Sequence, residues 1–148
     1  MADRTRGYAH RVDIIANSER VWRALTDPAY LVQWCASDAC IRPYQGGSFR
    51  ASVDRVTELE AHIDVFVPGR RMRLIFLPSP ALPATDSAIV MDFILEALPT
   101  GTILRVLGSG IPADESWDAQ YKRLRAGWER AMARLKVFVE RATHSPGE

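Results

Sequence analysis

Cysteine is scarce in this chain, and its two copies, Cys35 and Cys40, fall on either side of a loop. That is too few for the disulfide framework of a small secreted protein, so both thiols are expected to be free, as in a reducing compartment. Histidine is scarce too. His10, His62 and His144 stand at no ligand spacing, so no metal site is expected. Long apolar runs are missing: no stretch approaches the ~18 residues of a membrane span, and MADRTRGYAH has no apolar signal-peptide core, which together point to the cytoplasm. Neither charge sign dominates, since 19 Lys and Arg face 18 Asp and Glu for a net +1. With no basic run, zinc-finger spacing or helix-turn-helix pattern, nucleic acid is not an expected partner. Internal repeats and low-complexity segments are absent as well.

What remains is the makeup of an ordinary soluble domain, 47% hydrophobic and 25% charged over 148 residues. A chain of this length buries roughly 70% of its unfolded surface as one unit. A single domain over 1–148 is expected, with residues 1–6 and 144–148 frayed.

The strongest pattern lies between Asp114 and Arg141. Trp117, Tyr121, Leu124, Trp128, Met132, Leu135, Phe138 and Val139 recur every three or four residues, which predicts one long amphipathic helix. Lys122, Arg123, Arg125, Arg130, Arg134 and Lys136 form its wet face. Only a broad sheet or a partner chain offers enough apolar surface to match that stripe. Gly127 interrupts the pattern at about 1 kcal/mol relative to alanine, so either the backbone packs very close there or space is left for a ligand.

The rest of the chain supplies the sheet. Residues 8–16 alternate as a first strand, with Tyr8, His10, Val12, Ile14 and Ala16 on its inner face. Asn17 and Asp27 are good N-caps for two short helices, the first carrying Val21, Trp22 and Leu25 inward and the second starting at Pro28. Residues 36–45 read as a loop, and Gly46 with Gly47 turns into the run Phe49, Ala51, Val53. Alternation then marks 59–67, a strand through Met72, Leu74 and Phe76, one through Ile89, Met91, Phe93 and Leu95, and a last through Thr102, Leu104 and Val106. Between them, residues 78–86 hold three prolines and should cross no sheet interior. The fold class is therefore α+β: a curved antiparallel sheet of about six strands wrapped around the long C-terminal helix, with two short helices after the first strand.

Five stretches, taken in order, carry a resemblance: IIANSERVWRALTDPAYLVQW, IRPYQGGSF, VPGRRMRLIF, GTILRVLGSGIP and GWERAMARLKVFVE. They resemble the signature segments of the START-like (SRPBCC) superfamily, in the branch of the activator-homologue family of the heat-shock protein 90 ATPase. The resemblance implies the helix-grip fold, with a cavity between sheet and last helix. It implies binding of lipids, sterols, hormones or polyketides, polyketide cyclisation, or a co-chaperone-like role, without choosing among them. Relatives often carry a histidine at the position of Gly108, so a role needing that histidine is not expected.

Alternation aims a set of side chains at such a cavity. The candidate ligand-binding residues are Trp34, Phe49, Met72, Leu74, Phe76, Met91, Phe93, Trp117, Tyr121, Leu124 and Trp128. The plain alternative is that they only fill a core. Acid–base candidates are few: His10 and Tyr8 make at most one polar spot, Asp92 and Glu96 point outward, and no Ser, His and Asp set converges, so no catalytic residue and no cofactor is assigned. The expected function is binding of a small, mostly apolar molecule, of lipid, polyketide or aromatic type, without catalysis. A cyclase or aromatase-type enzyme and a protein-interaction module of co-chaperone or stress-response type are the alternatives. Ligand identity, protein partner and oligomeric state are left open.

Overall fold

Asn17 and Asp27 set the first turning points of the chain. The Asn17 side chain accepts from the Arg20 N–H at 2.9 Å and starts helix α1, Ser18–Thr26. Asp27 ends α1, then accepts from the Ala29 N–H at 2.9 Å to start α2, Pro28–Trp34, with Pro28 in the first turn where its missing N–H does no harm. The computed structural model describes residues 4–36, 38–52, 58–80 and 82–143.

Around these helices the strands run β1 Thr5–Ile14, β2 Cys40–Ile41, β3 Ser48–Ser52, β4 Glu58–Val67, β5 Arg71–Phe76, β6 Val90–Leu98 and β7 Gly101–Pro112. They form one seven-stranded sheet in the order β1-β7-β6-β5-β4-β3-β2, with every neighbouring pair antiparallel. The strand beyond the expected number is β2, inside the segment read as a loop. It is two residues long, too short to leave an alternating signature, and it pairs Cys40 with Arg50 and Ile41 with Phe49. Thr5 and Arg6, expected to fray, are paired with Pro112 and Ile111. Val53 and residues 144–148 lie outside the described residues.

Period-two alternation sorts the two faces of the sheet. Leu59, Ala61, Ile63, Met72, Leu74, Met91, Phe93, Leu104 and Val106 are buried against the helices. Asp92 and Glu96 sit on the other face, as parity requires, but neither is alone. Arg71 and Arg73 both reach Asp92, at 2.9 and 3.2 Å, and Arg105 reaches Glu96 at 2.8 Å.

Helix α3, Asp118–Thr143, is 26 residues long. It starts later than the apolar pattern, because the Asp114 carboxylate accepts from the Ser116 N–H and holds Glu115–Trp117 as a separate 3-10 turn. Trp117, Leu124, Trp128, Met132, Leu135 and Val139 are buried, and Tyr121 and Phe138 are half-buried along the same stripe. One flank of α3 is fastened to β1. The Tyr121 hydroxyl donates to Gly7 O at 2.8 Å, His10 Nε2 donates to Arg125 O at 2.9 Å, and Lys136 Nζ donates to Asp13 O at 2.6 Å. The other flank meets α2, where Arg134 Nε donates to Trp34 O at 2.8 Å. The arrangement is the helix-grip fold. Among the described residues no helix is long and apolar enough to cross a membrane.

Candidate functional site

The prolines at 78, 80 and 83 keep the β5–β6 connection out of the sheet, and its return is pinned to β7. Ser87 Oγ donates to Gly110 O at 2.7 Å. Gly110, at φ +79°, passes so close to the Ala88 carbonyl that no Cβ fits. The connection therefore stands over the start of the long helix, and two clefts meet at Trp117. The first, about 500 Å³, is apolar: Ile75, Phe76, Leu77, Leu82, Pro83, Ile89 and Trp117 contribute to its wall. The second, about 440 Å³, is more polar and includes Arg4, Thr85, Asp86, Ser87 and Asp114. At the opposite end of the molecule a groove of about 620 Å³ runs between α1, α2 and α3, past Arg20, Arg23, Tyr30 and Phe138.

Of the residues aimed inward by alternation, Phe76 and Trp117 border the apolar cleft. Met72, Leu74, Met91, Phe93, Leu124 and Trp128 do not border that cleft: they are buried in one core cluster, with Phe93 and Trp128 edge to face at 5.8 Å. Phe49 belongs to the same cluster, on β3. Trp34 lies at the α1–α2 corner, where its Nε1 donates to Ala24 O at 2.8 Å. Tyr121 sits on the β1 flank under the Arg6 guanidinium, 4.6 Å from ring centre to Cζ. Leu82, Pro83 and Ile89 were assigned no part in the site by the sequence, although three prolines beside an isolated leucine signalled a built loop.

Two polar atoms of α3 are buried without a hydrogen-bond partner, Gln120 Oε1 and Trp128 Nε1. Gln120 lies one turn beyond Trp117. Gly127, two turns beyond Gln120, is buried and contributes no side chain to that face.

The titratable groups give little chemistry. Tyr8, His10 and Tyr121 come together, with the Tyr8 ring 5.3 Å from His10 and 6.5 Å from Tyr121. His10 and Tyr121 spend their polar hydrogens on backbone carbonyls. Burial, with Tyr121 adding to it, holds the Tyr8 phenol well above the usual tyrosine range, so it stays protonated at neutral pH. Burial likewise pushes the Cys35 thiol up to about 12, against the opposing pull of Arg134. Cys40 is exposed, and both cysteines are free. Among the described residues no three His, Cys, Asp or Glu side chains converge to hold a metal.

This geometry has relatives. A protein from Mesorhizobium loti, MLL2253, is 26% identical over 92% of this chain and 98% of its own, with a TM-score of 0.78. DynU16, from the dynemicin biosynthetic locus, is 24% identical and matches at a TM-score of 0.70, over 92% of this chain and 48% of its own. The Aha1 dimer of Colwellia psychrerythraea is 18% identical with a TM-score of 0.75, over 91% of this chain and 96% of its own. No curated protein matches. The profile of the family described as activator of Hsp90 ATPase homolog 1-like protein matches residues 16–140, and the chain belongs to that family.

Proposed function

We propose that the protein binds a small, mostly apolar molecule of lipid, polyketide or aromatic type, taken up beside Trp117 between the end of β5 and the proline-rich connection, and does not transform it. The observation that carries this reading is the apolar cleft of about 500 Å³ at the junction of β5, the proline-rich connection and Trp117. Its size falls within the range of small-molecule sites, and Phe76, Leu82 and Trp117 give it apolar walls that suit a flat or flexible apolar ligand. DynU16's origin in a biosynthetic locus is compatible with such a ligand. Free thiols suit a cytoplasmic protein. An enzyme of cyclase type would need mobile protons in the cavity, and two of the three candidates are tied to the backbone. An interaction module using the outer sheet face would need free charge there, and Asp92 is held by two arginines.

The test is a thermal-shift and tryptophan-fluorescence screen with naphthalene-sized aromatics and medium-chain alcohols. A ligand present at 100 times its Kd stabilises by about 2.7 kcal/mol, well within reach of the assay. Phe76→Ala, a half-buried position, and Leu82→Ala should abolish the shift while the protein stays folded. A screen with no responder, or a shift indifferent to both substitutions, refutes the reading.

A further inference from the structure

The groove between α1, α2 and α3 shares no residue with the cleft beside Trp117. Its volume, about 620 Å³, is that of a small-molecule site. One wall is aromatic: Tyr30 of α2 and Phe138 of α3, both half-buried, meet at 5.8 Å between ring centres. The α1 side carries Asn17, Glu19, Arg20 and Arg23, and the two arginines, three residues apart, share a helix face. Arg23 is held in place without using its hydrogen-bond donors. Its guanidinium lies over the Tyr30 ring, 4.9 Å from the centroid, and its ion pair with Asp27 runs to Nε at 3.6 Å, beyond hydrogen-bond distance. Asn17 gives its side-chain oxygen to the Arg20 N–H as the cap of α1, which leaves the NH2 of its amide over. The Tyr30 hydroxyl has no hydrogen-bond partner among the described residues.

Any one of these donors, standing alone in an open groove, would simply meet water. Together they border one flat apolar wall, and what they lack in common is an acceptor. A guanidinium offers two parallel N–H groups in a plane, a fork that matches the two oxygens of a carboxylate. We propose that this groove binds a flat aromatic carboxylate, its oxygens held by the Nη groups of Arg23 and its ring laid against Tyr30 and Phe138. Arg20 adds a second positive charge to the field the anion meets. Glu19 is the one acidic residue of the lining, so it opposes the anion and limits its affinity. The site is separate from the one proposed beside Trp117 and does not depend on it.

Three probes test the idea by calorimetry: naphthalene-2-carboxylate, the neutral 2-naphthalenemethanol, and acetate, which has the charge without the ring. In the native protein the aromatic acid should bind about tenfold tighter than the alcohol, the worth of a hydrogen bond to a charged group, and acetate should give no measurable heat. The Arg23 side chain is 63% exposed, so Arg23→Met leaves the fold intact, and it should bring the acid down to the level of the alcohol. Glu19→Gln should tighten the acid by about two- to fivefold and leave the alcohol unchanged, a gain that structural damage would not produce. Tyr30→Leu should weaken both naphthyl probes. Phe76→Ala, which opens the wall of the other cleft, should leave binding of the acid as it was. An acid that does not bind, that binds no better than the alcohol or acetate, or that keeps its advantage in Arg23→Met overturns the proposal. So does the absence of any gain in Glu19→Gln, or loss of the acid in Phe76→Ala, which would place it beside Trp117 instead.

Discussion

At Gly108 an added methyl group should change sign in its effect on stability according to what stands at residue 8. A Cβ built on Gly108 comes within 3.0 Å of three atoms of the Tyr8 ring, all at its far end. Tyr8 is buried, so the ring has little room to retreat. Overpacking of this kind costs about 1–3 kcal/mol. Against it stands the gain of replacing glycine inside a strand, about 0.5–1 kcal/mol. The net for Gly108→Ala is a loss of roughly 1–2 kcal/mol, or about 3–6 °C in Tm for a domain of this size. Tyr8→Leu removes the three clashing atoms. In that background the first term vanishes and the second remains, so Gly108→Ala should stabilise. Urea unfolding of the four proteins of the cycle measures the coupling directly. Additive effects, or a harmless Gly108→Ala in the native background, refute the reasoning. A larger residue meets the same obstacle, so Gly108→His should be tolerated only after Tyr8 is truncated.

Alkaline pH should expose Tyr8 through the same burial. Its folded-state value lies above the unfolded one, so its contribution is intact below about pH 10 and declines as pH rises past it, at up to about 1.4 kcal/mol per pH unit. Denaturation midpoints between pH 9 and 11 should fall less steeply in Tyr8→Phe than in the native protein; parallel curves would show the phenol is not buried. At neutral pH a thiol reagent should label Cys40 within the folded protein and leave Cys35 untouched until unfolding, read by peptide mass spectrometry. Fast labelling of Cys35 in native conditions would contradict its buried setting.

Periodicity made the long helix and most of the strands legible in the sequence, because Trp117 to Val139 and Leu59 to Val106 repeat at 3.6 and 2 residues with few exceptions. The caps at Asn17 and Asp27 were readable for the same local reason. Strand β2 was not, since two residues make no pattern and its pairing with β3 is a tertiary choice. The inward set followed from parity for Met72, Leu74, Met91 and Phe93 and from the helical period for Leu124 and Trp128, yet neither period separates a core from a ligand contact. The cleft depends on where residues 77–89 fold back, and that is decided by Ser87 and Gly110, residues 23 apart with no shared pattern.

The pairing of β1 with β7 reaches from Thr5 to Pro112, and the helix fastened along it comes later still. During synthesis, then, β1 leaves the ribosome well before either of the elements that cover it. It must wait, with Tyr8 and Ile14 uncovered, until β7 and α3 have emerged. Any truncation from the far end that removes β7 and α3 strips it of both partners at once, and such fragments should be insoluble rather than merely less stable.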